Sequence, residues 1–227
     1  MASLLGKPMI GHVYERVVRN ELLLTTAVAT CDREISEYIC ALGGMAVMTS
    51  NVHERASDRC AEALEHLEKQ NGVKYDIVVM VQGDEPMIHP AMISEAVQPM
   101  ISDRAIKVVN LMGRIKTNSE FEDNNCIKVV VDLDGNALYF SRQPVPWRSK
   151  HAKVAMFKQV CVIPFRRDFL LEYARLAPTP LEIAESVDMM RVLEHGIRVR
   201  MVLTEHDSHA VDTPDDLARV ERLMSNQ

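Results

Sequence analysis

The stretch Tyr75-Asp76-Ile77-Val78-Val79-Met80-Val81-Gln82-Gly83-Asp84-Glu85-Pro86 decides the fold. Ile77–Val81 is uninterruptedly apolar and mostly β-branched. A run of this kind between short polar brackets fits a central parallel strand covered by helices on both faces. It ends abruptly in an amide, a glycine, two acids and a proline. Gly83 permits close backbone approach or a positive φ, and Pro86 stops the strand. In an α/β sheet, ligands sit beyond the carboxyl ends of strands, so Gln82–Pro86 is where chemistry is expected. Taken alone, Asp84 is equally well read as a polar turn residue that caps the next helix.

Working outward, helices and strands alternate. Ile10, Val13, Tyr14, Val17 and Val18 space a helix over 8–20, with Pro8 in its first turn. Leu24–Thr30 and Met45–Ser50 read as strands. Between them Ile35, Tyr38, Ile39 and Leu42 mark a helix that Gly43-Gly44 stops. Ala56, Cys60, Ala63, Leu64 and Leu67 mark the helix that leads into the decisive strand. Beyond it come a helix near Pro90–Met100 and a strand near Ala105–Met112. Ile127–Asp132 and Ala137–Phe140 then flank Leu133-Asp134-Gly135-Asn136, a hairpin signal. Strands over Gln159–Phe165 and Arg198–Leu203, and helices over Arg166–Leu176, Leu181–His195 and Pro214–Met224, complete the chain. The expected fold is one α/β domain over 1–227, with a doubly wound, mostly parallel sheet and an antiparallel β arm at about 121–150.

The second constellation is Val211-Asp212-Thr213-Pro214-Asp215-Asp216. Thr213 as N-cap, Pro214 at N1 and acids in the first turn make a sufficient helix start. Asp212 is left over. Two aspartates from distant strand ends suggest a hard-cation site. Mg²⁺ takes one or two carboxylates and leaves its other positions to water and phosphate oxygens.

Composition bounds the function classes. The 227 residues are 47% apolar and 26% charged, which excludes a disordered or fibrous chain. No apolar run is long enough to span a bilayer, and no secretory signal is expected. The net charge of −6 argues against a nucleic-acid binder. Five scattered cysteines (Cys31, Cys40, Cys60, Cys126, Cys161) imply reduced thiols and a cytoplasmic location. GxxxxGK[ST] is absent, as is a GxGxxG after a strand, so a P-loop NTPase and a dinucleotide dehydrogenase are poor readings. Gly6-Lys7-Pro8 is a weak anion-binding signal. Arg55 and Arg59 share a helix face and read first as a solvated helix start. Lys128 and Arg142 read as ordinary charges on paired strands.

Several stretches resemble one family. They are GKPMIGHVYERV (6–17), VATCD (28–32), VMTS (47–50) followed by SDR (57–59), VQGDEPMI (81–88), DNNCIKVVVD (123–132), ALYFSRQPVPW (137–147), FRRDFLLEY (165–173), the Leu181–Gly196 segment and VDTPDDL (211–217). In this order and spacing they resemble the CMP-sugar synthetases, most closely the 3-deoxy-manno-octulosonate cytidylyltransferases. The resemblance implies a reaction in which CTP and a 2-keto sugar acid give a CMP-sugar and pyrophosphate. It implies Mg²⁺ on Asp84 and Asp212, a nucleotide and sugar cleft lined by Gln82, Asp58 and Arg59, and cationic contacts from Lys128 and Arg142. Lys7 matches a family Gly-Lys-Pro. The hairpin arm resembles a homodimer contact.

Departures accompany the resemblance. The family's opening strand and its triphosphate-embracing loop have no counterpart ahead of Gly6-Lys7-Pro8, so an exposed sheet edge is expected. Gln159-Val160-Cys161-Val162-Ile163 stands where the family has His-Ile-Gly-Ile-Tyr. Asp188-Met189-Met190-Arg191 stands for Glu-Gln-Leu-Arg, and Arg55-Ala56-Ser57 for Ser-Gly-Thr. Such swaps remove partners for sugar hydroxyls and suit an altered choice of ulosonic acid. A non-catalytic relative that binds or dimerises without turnover is the rival expectation.

Overall fold

The computed structural model describes residues 1–148 and 154–225. The chain opens with a short antiparallel clip, β1 (Ser3–Leu4) and β2 (Lys7–Pro8), whose turn needs Gly6 at φ +75°. Then come α1 (Met9–Val17), β3 (Ala27–Thr30), α2 (Arg33–Ala41), β4 (Met45–Met48), α3 (Ala56–Asn71), β5 (Ile77–Val81), α4 (Pro90–Ser102) and β6 (Val109–Arg114). A short α5 (Asn118–Glu122) precedes the hairpin β7 (Lys128–Val131) and β8 (Ala137–Ser141). The remainder is β9 (Phe157–Val160), β10 (Val162–Arg166), α6 (Arg167–Tyr173), α7 (Pro180–Glu185), α8 (Asp188–Glu194), β11 (Arg200–Leu203) and α9 (Pro214–Ser225).

The strand Ile77–Val81 is indeed clad on both faces. Ile77, Val79 and Val81 pack with Val13 and Val17 of α1 and with Met92, Ile93, Ala96 and Val97 of α4. Val78 and Met80 point the other way, toward Ala61 and Leu64 of α3 and Phe169, Leu170 and Tyr173 of α6. The alternation follows from the two-residue strand period. Each fully buried aliphatic side chain in these layers contributes roughly 1.5–3 kcal/mol.

The α/β architecture matches the sequence reading, but the strand directions are mixed. β3 and β4 are parallel, as are β6 and β11. β10 runs antiparallel to β5, β9 antiparallel to β6 and β7, and β7 antiparallel to β8. Apolar runs state burial, not direction, so the expectation of a mostly parallel sheet is corrected here. The single strand expected over Gln159–Phe165 is broken at Cys161. Its first half, β9, lies between β6 and β7; its second half, β10, pairs with β5 and touches the start of β6 through the Val108–Phe165 bridge. Cys161 therefore marks a fork, where the ends of β5 and β7 diverge. The helix expected over Leu181–His195 is two helices, because Ser186 adopts φ +52°. Of the β arm expected at about 121–150, β7 and β8 form the hairpin, Phe121 and Glu122 belong to α5, and Ser149 and Lys150 lie outside the described residues.

Among the described residues no backbone pairing joins β3 to β5. Helices nevertheless span both. α3 packs on β3, β4 and β5. On the opposite face α1 presses Ile10 against Gly83 beyond β5, where an added Cβ would stand 3.1 Å from Ile10 Cδ1, and presses Tyr14 against Gly44 before β4. Ile77, Val78 and Val79 are only half-buried despite their helical cover. The open edge expected from the sequence is thus present, between these two ladders.

Candidate active site

Val81 delivers Gln82 to the fork, where the Gln82 N–H donates to the Cys161 carbonyl at 3.4 Å. Gly83 has no positive φ; it gives room to Ile10, whose Cδ1 would have to move a few tenths of an ångström for a Cβ here. Asp84 follows, and its carbonyl accepts from Val211 N–H at 2.9 Å. That bond brings the segment carrying Asp212 against the end of β5. The two aspartates, remote in sequence, are neighbours. The Asp84 carboxyl is pushed up to about 6, first by burial, then by Glu85 and then by Asp212. Asp212 is raised as well, by burial and by Asp216, while Arg142 opposes the shift. Asp84 Oδ1 is buried and has no hydrogen-bond partner. A buried acceptor of this kind beside a second carboxylate is costly unless something positive satisfies it. An oxygen-only donor set with few protein ligands suits a hard divalent cation that keeps water or phosphate in its other positions. Thr213 and Asp216 exchange cap hydrogen bonds at 2.7–3.2 Å, so α9 starts as read and Asp212 stays outside the cap.

The hairpin closes one side of this cleft. The Lys128 ammonium is fully buried and donates to the carbonyls of Asp123 (2.7 Å) and Arg142. Burial lowers its pKa. The expectation that Lys128 faces an anionic substrate is corrected: its donors serve the backbone that leads into and out of the hairpin. Arg142 donates to the carbonyls of Glu185 (2.7 Å), Asn124 (3.0 Å) and Ser186 (3.4 Å). It stands within electrostatic reach of Asp212. Gln159 donates to Asn110 Oδ1 at 2.6 Å, and Asn110 in turn donates to the Val160 carbonyl, so this amide is held inside the sheet.

A second group of expected residues collects elsewhere, between α3 and α8. Arg191 is 2% exposed and grips Glu182 with two hydrogen bonds of 2.6 and 2.7 Å. It also reaches Asp58 at 3.4 Å. Asp188 accepts from the Ser57 hydroxyl at 2.7 Å, and Arg55 lies 3.4 Å from Glu182 and 3.7 Å from Asp188. Arg59 braces the β4–α3 loop through Thr49 (2.6 Å) and the Ser50 carbonyl (3.2 Å). Asp58, Asp188 and Arg191 are therefore members of one ion network. With Ser50, His53, Arg55 and Glu62, Asp58 and Arg191 border a cavity of about 820 Å³ that Asp84, Asp188 and Asp212 do not line. Lys7 is apart again, with its ammonium 2.7 Å from both oxygens of Glu15.

Sequence reasoning passed over two residues at the fork. Glu85 is 5% exposed, and its carboxylate accepts from the Cys161 N–H at 3.3 Å and from the Ser208 hydroxyl. The acid-acid-proline string after an apolar strand was the available signal; it carried no sign of which acid turns inward. Cys161 is half-buried near Glu85, Asp84, Asp188 and Asp212, and desolvation first, then those acids, drive its thiol well above the ordinary value.

Comparisons with known proteins place the chain in a family. A cytidylyltransferase family model matches residues 1–201. The 3-deoxy-manno-octulosonate cytidylyltransferase of Geobacter metallireducens is 44% identical, covering 99% of this chain and 91% of its own. That of Geotalea uraniireducens is 45% identical over 98% of this chain and 91% of its own. A solved structure of CMP:2-keto-3-deoxy-manno-octonic acid synthetase complexed with CTP superposes with a TM-score of 0.87 at 36% identity, covering 99% of this chain and 90% of that one. The 4-diphosphocytidyl-2C-methyl-D-erythritol synthase of Anaerococcus prevotii, 11% identical with a TM-score of 0.62 over 98% of this chain and 91% of its own, shares the fold. With identity of this order over nearly the whole chain, the chain belongs to the 3-deoxy-manno-octulosonate cytidylyltransferase family of nucleotidyltransferases.

Proposed function

We propose that this protein transfers the cytidylyl group of CTP to the anomeric hydroxyl of a 2-keto-3-deoxy sugar acid, releasing pyrophosphate, for the synthesis of bacterial surface polysaccharide. The hydroxyl oxygen forms a bond to the α-phosphorus, and the bond from that phosphorus to the bridging oxygen of the pyrophosphate breaks, the electron pair leaving with it. No covalent enzyme intermediate is needed, so the protein's work is positioning and charge neutralisation. The single observation that carries this reading is the pairing of Asp84 with Asp212 at a strand terminus, one buried oxygen left without a partner, in a member of this family.

Asp84 and Asp212 would hold Mg²⁺; when bound, that ion neutralises triphosphate charge and acidifies a hydroxyl. Arg142 and its carbonyl partners stiffen the wall beside Asp212. Gln159, standing where the family has His, spends its amide N–H on Asn110, and Met189, standing where it has Gln, is buried in the core; the loss of both partners for sugar hydroxyls favours an ulosonic acid other than the usual one as a second substrate reading. A cytoplasmic location is supported by five free thiols, two of them exposed. No helix among the described residues is long and apolar enough to cross a membrane. Large apolar side chains on or after the hairpin, Leu133, Leu138 and Trp147, are 61% exposed or more, which supports a homodimer through this arm.

The test is pyrophosphate release from CTP and Mg²⁺ with 3-deoxy-manno-octulosonate and other ulosonic and nonulosonic acids. Release is expected with at least one. Asp84→Asn and Asp212→Asn are each expected to lower turnover by roughly 10²–10³-fold or more with the circular dichroism unchanged. Absence of release with every acid, or near-normal rates in either variant, overturns the reading.

A further inference from the structure

The loop between β11 and α9 carries Asp212, and its position decides whether the two aspartates form a pair. Its start is sewn to β6 by Thr204 N–H on the Met112 carbonyl at 2.9 Å. Its middle is gripped at Ser208, which is 5% exposed. The Ser208 hydroxyl donates to Glu85, and its carbonyl lies 3.5 Å from the Lys158 ammonium, itself paired with Glu120 at 2.8 Å. The second oxygen of Glu85 accepts from Cys161 N–H at the fork. One buried carboxylate thereby joins three pieces of backbone: the end of β5, the β9–β10 break and the Asp212 loop. Burying a carboxylate is expensive even when both oxygens are bonded, and an apolar residue of similar volume would stabilise the fold as well or better. What an apolar residue would not supply is a directional hold on Ser208.

We propose that Glu85 is a positioning residue, and that its bond to Ser208 holds the loop bearing Asp212 against the strand end bearing Asp84, so that the two acids are preformed as a pair. The inference rests on the reading of those acids as cation ligands. Neither Glu85 nor Ser208 touches the cation or substrate in this scheme; both act through the loop. Outer partners that orient ligands typically govern metal affinity by 10–100-fold.

Binding of Mn²⁺ to the full chain, followed by the loss of the free-ion electron paramagnetic resonance signal, reads this without turnover. Ser208→Ala is expected to weaken Mn²⁺ about tenfold. Ser208→Thr keeps the hydroxyl and is expected to stay within about threefold of the parent. Glu85→Gln can still accept from Cys161 N–H and can exchange a hydrogen bond with Ser208, and is likewise expected within about threefold, since the hold and not the charge is what matters. Should Ser208→Ala not fold, Ser208→Cys, with a weaker donor of similar size, is expected between the parent and tenfold. In turnover assays the Mg²⁺ concentration for half-maximal rate should rise in Ser208→Ala while kcat at saturating Mg²⁺ holds. Asp84→Asn is the control. If it loses Mn²⁺ while Ser208→Ala and Ser208→Cys bind as the parent does, the positioning role is wrong and the cation site stands. If Glu85→Gln is as weak as Ser208→Ala, charge and not the hold is responsible and the inference falls. If Asp84→Asn binds Mn²⁺ normally, the cation reading itself is overturned.

Discussion

Asp84→Asn should stabilise the ion-free protein even as it removes activity. The Asp84 carboxyl is carried from an ordinary 3.8 to about 6 by burial, by Glu85 and by Asp212. The direction fixes the sign. A carboxyl whose pKa is raised on folding binds its proton more tightly in the native state, so its ionisation opposes folding. Below pH about 4 both states are protonated and the penalty is absent. It grows as pH rises from about 4 to about 6 and is complete above that. A displacement of about two units at 1.36 kcal/mol each gives about 3 kcal/mol, an upper figure because Asp84 is not wholly buried. Asparagine carries no charge to desolvate, and its amide can donate toward the acids that now repel Asp84. Urea unfolding of parent and variant in chelator at pH 4, 6 and 7.5 isolates this residue, because the other titrations cancel between them. The variant should gain about 2–3 kcal/mol at pH 7.5 and almost nothing at pH 4. Mg²⁺ at about a hundredfold over its dissociation constant should then restore about 2.7 kcal/mol to the parent and little to the variant. A variant no more stable than the parent at pH 7.5, or an equal gain at both extremes, would refute the electrostatic account of the site.

Arg191→Met leaves Glu182, which has no solvent exposure, with Arg55 at 3.4 Å as its remaining cation and the Thr179 N–H at 3.2 Å; a loss of about 3 kcal/mol is expected, or about 6–12 °C in melting temperature, and Arg191→Met with Glu182→Leu should recover most of it. Equal losses in the single and double variants would contradict the network. Ellman's reagent at pH 8 should titrate two thiols rapidly in the native chain, the exposed Cys31 and Cys40; the other three should react only on unfolding, because burial raises Cys126 and Cys161 and pushes Cys60 up to about 12. Light scattering should give twice the 25.6 kDa chain mass, and Leu138→Lys with Trp147→Lys should halve it; a monomeric parent removes the arm from the dimer reading.

The parts of the fold that were legible in sequence are those set by local rules. Five apolar residues followed by Gln82-Gly83-Asp84 gave a strand clad by helices that ends in acids, and Thr213-Pro214 gave a helix start that left Asp212 unexplained. Asp134-Gly135 gave the hairpin, with Gly135 at φ +78°. What was not legible depends on partners far away in sequence. Strand direction is one such property: nothing in Val162–Arg166 records that β5 runs against it. The break at Cys161 is another, since Val160 and Val162 are equally apolar and pair with different neighbours. Side-chain roles failed in the same way. Lys128 reads as a strand-surface cation until two carbonyls enclose its ammonium. Asp188 and Arg191 read as cleft residues through the family motif; their bonds to Ser57 and Asp58, which also join helix to helix, could not be read from it.

The two groups of ionic residues illustrate opposite uses of burial. Around Arg191 each acid has a basic partner, so the charges nearly compensate and the assembly is a hinge pin between α3 and α8. At the fork Asp84, Glu85 and Asp212 gather three acids; of the cations near them, Arg142 spends its donors on carbonyls and Lys158 is paired with Glu120. A fold selecting only for stability would not leave this imbalance, because each unpaired buried carboxylate opposes folding. On the proposed function a divalent cation would remove this imbalance, and the electrostatic cost at the end of β5 would then favour its binding. Glu85, alone of the three acids, is satisfied within the protein on both oxygens, which suits a framing role and leaves Asp84 with an unused oxygen for a ligand.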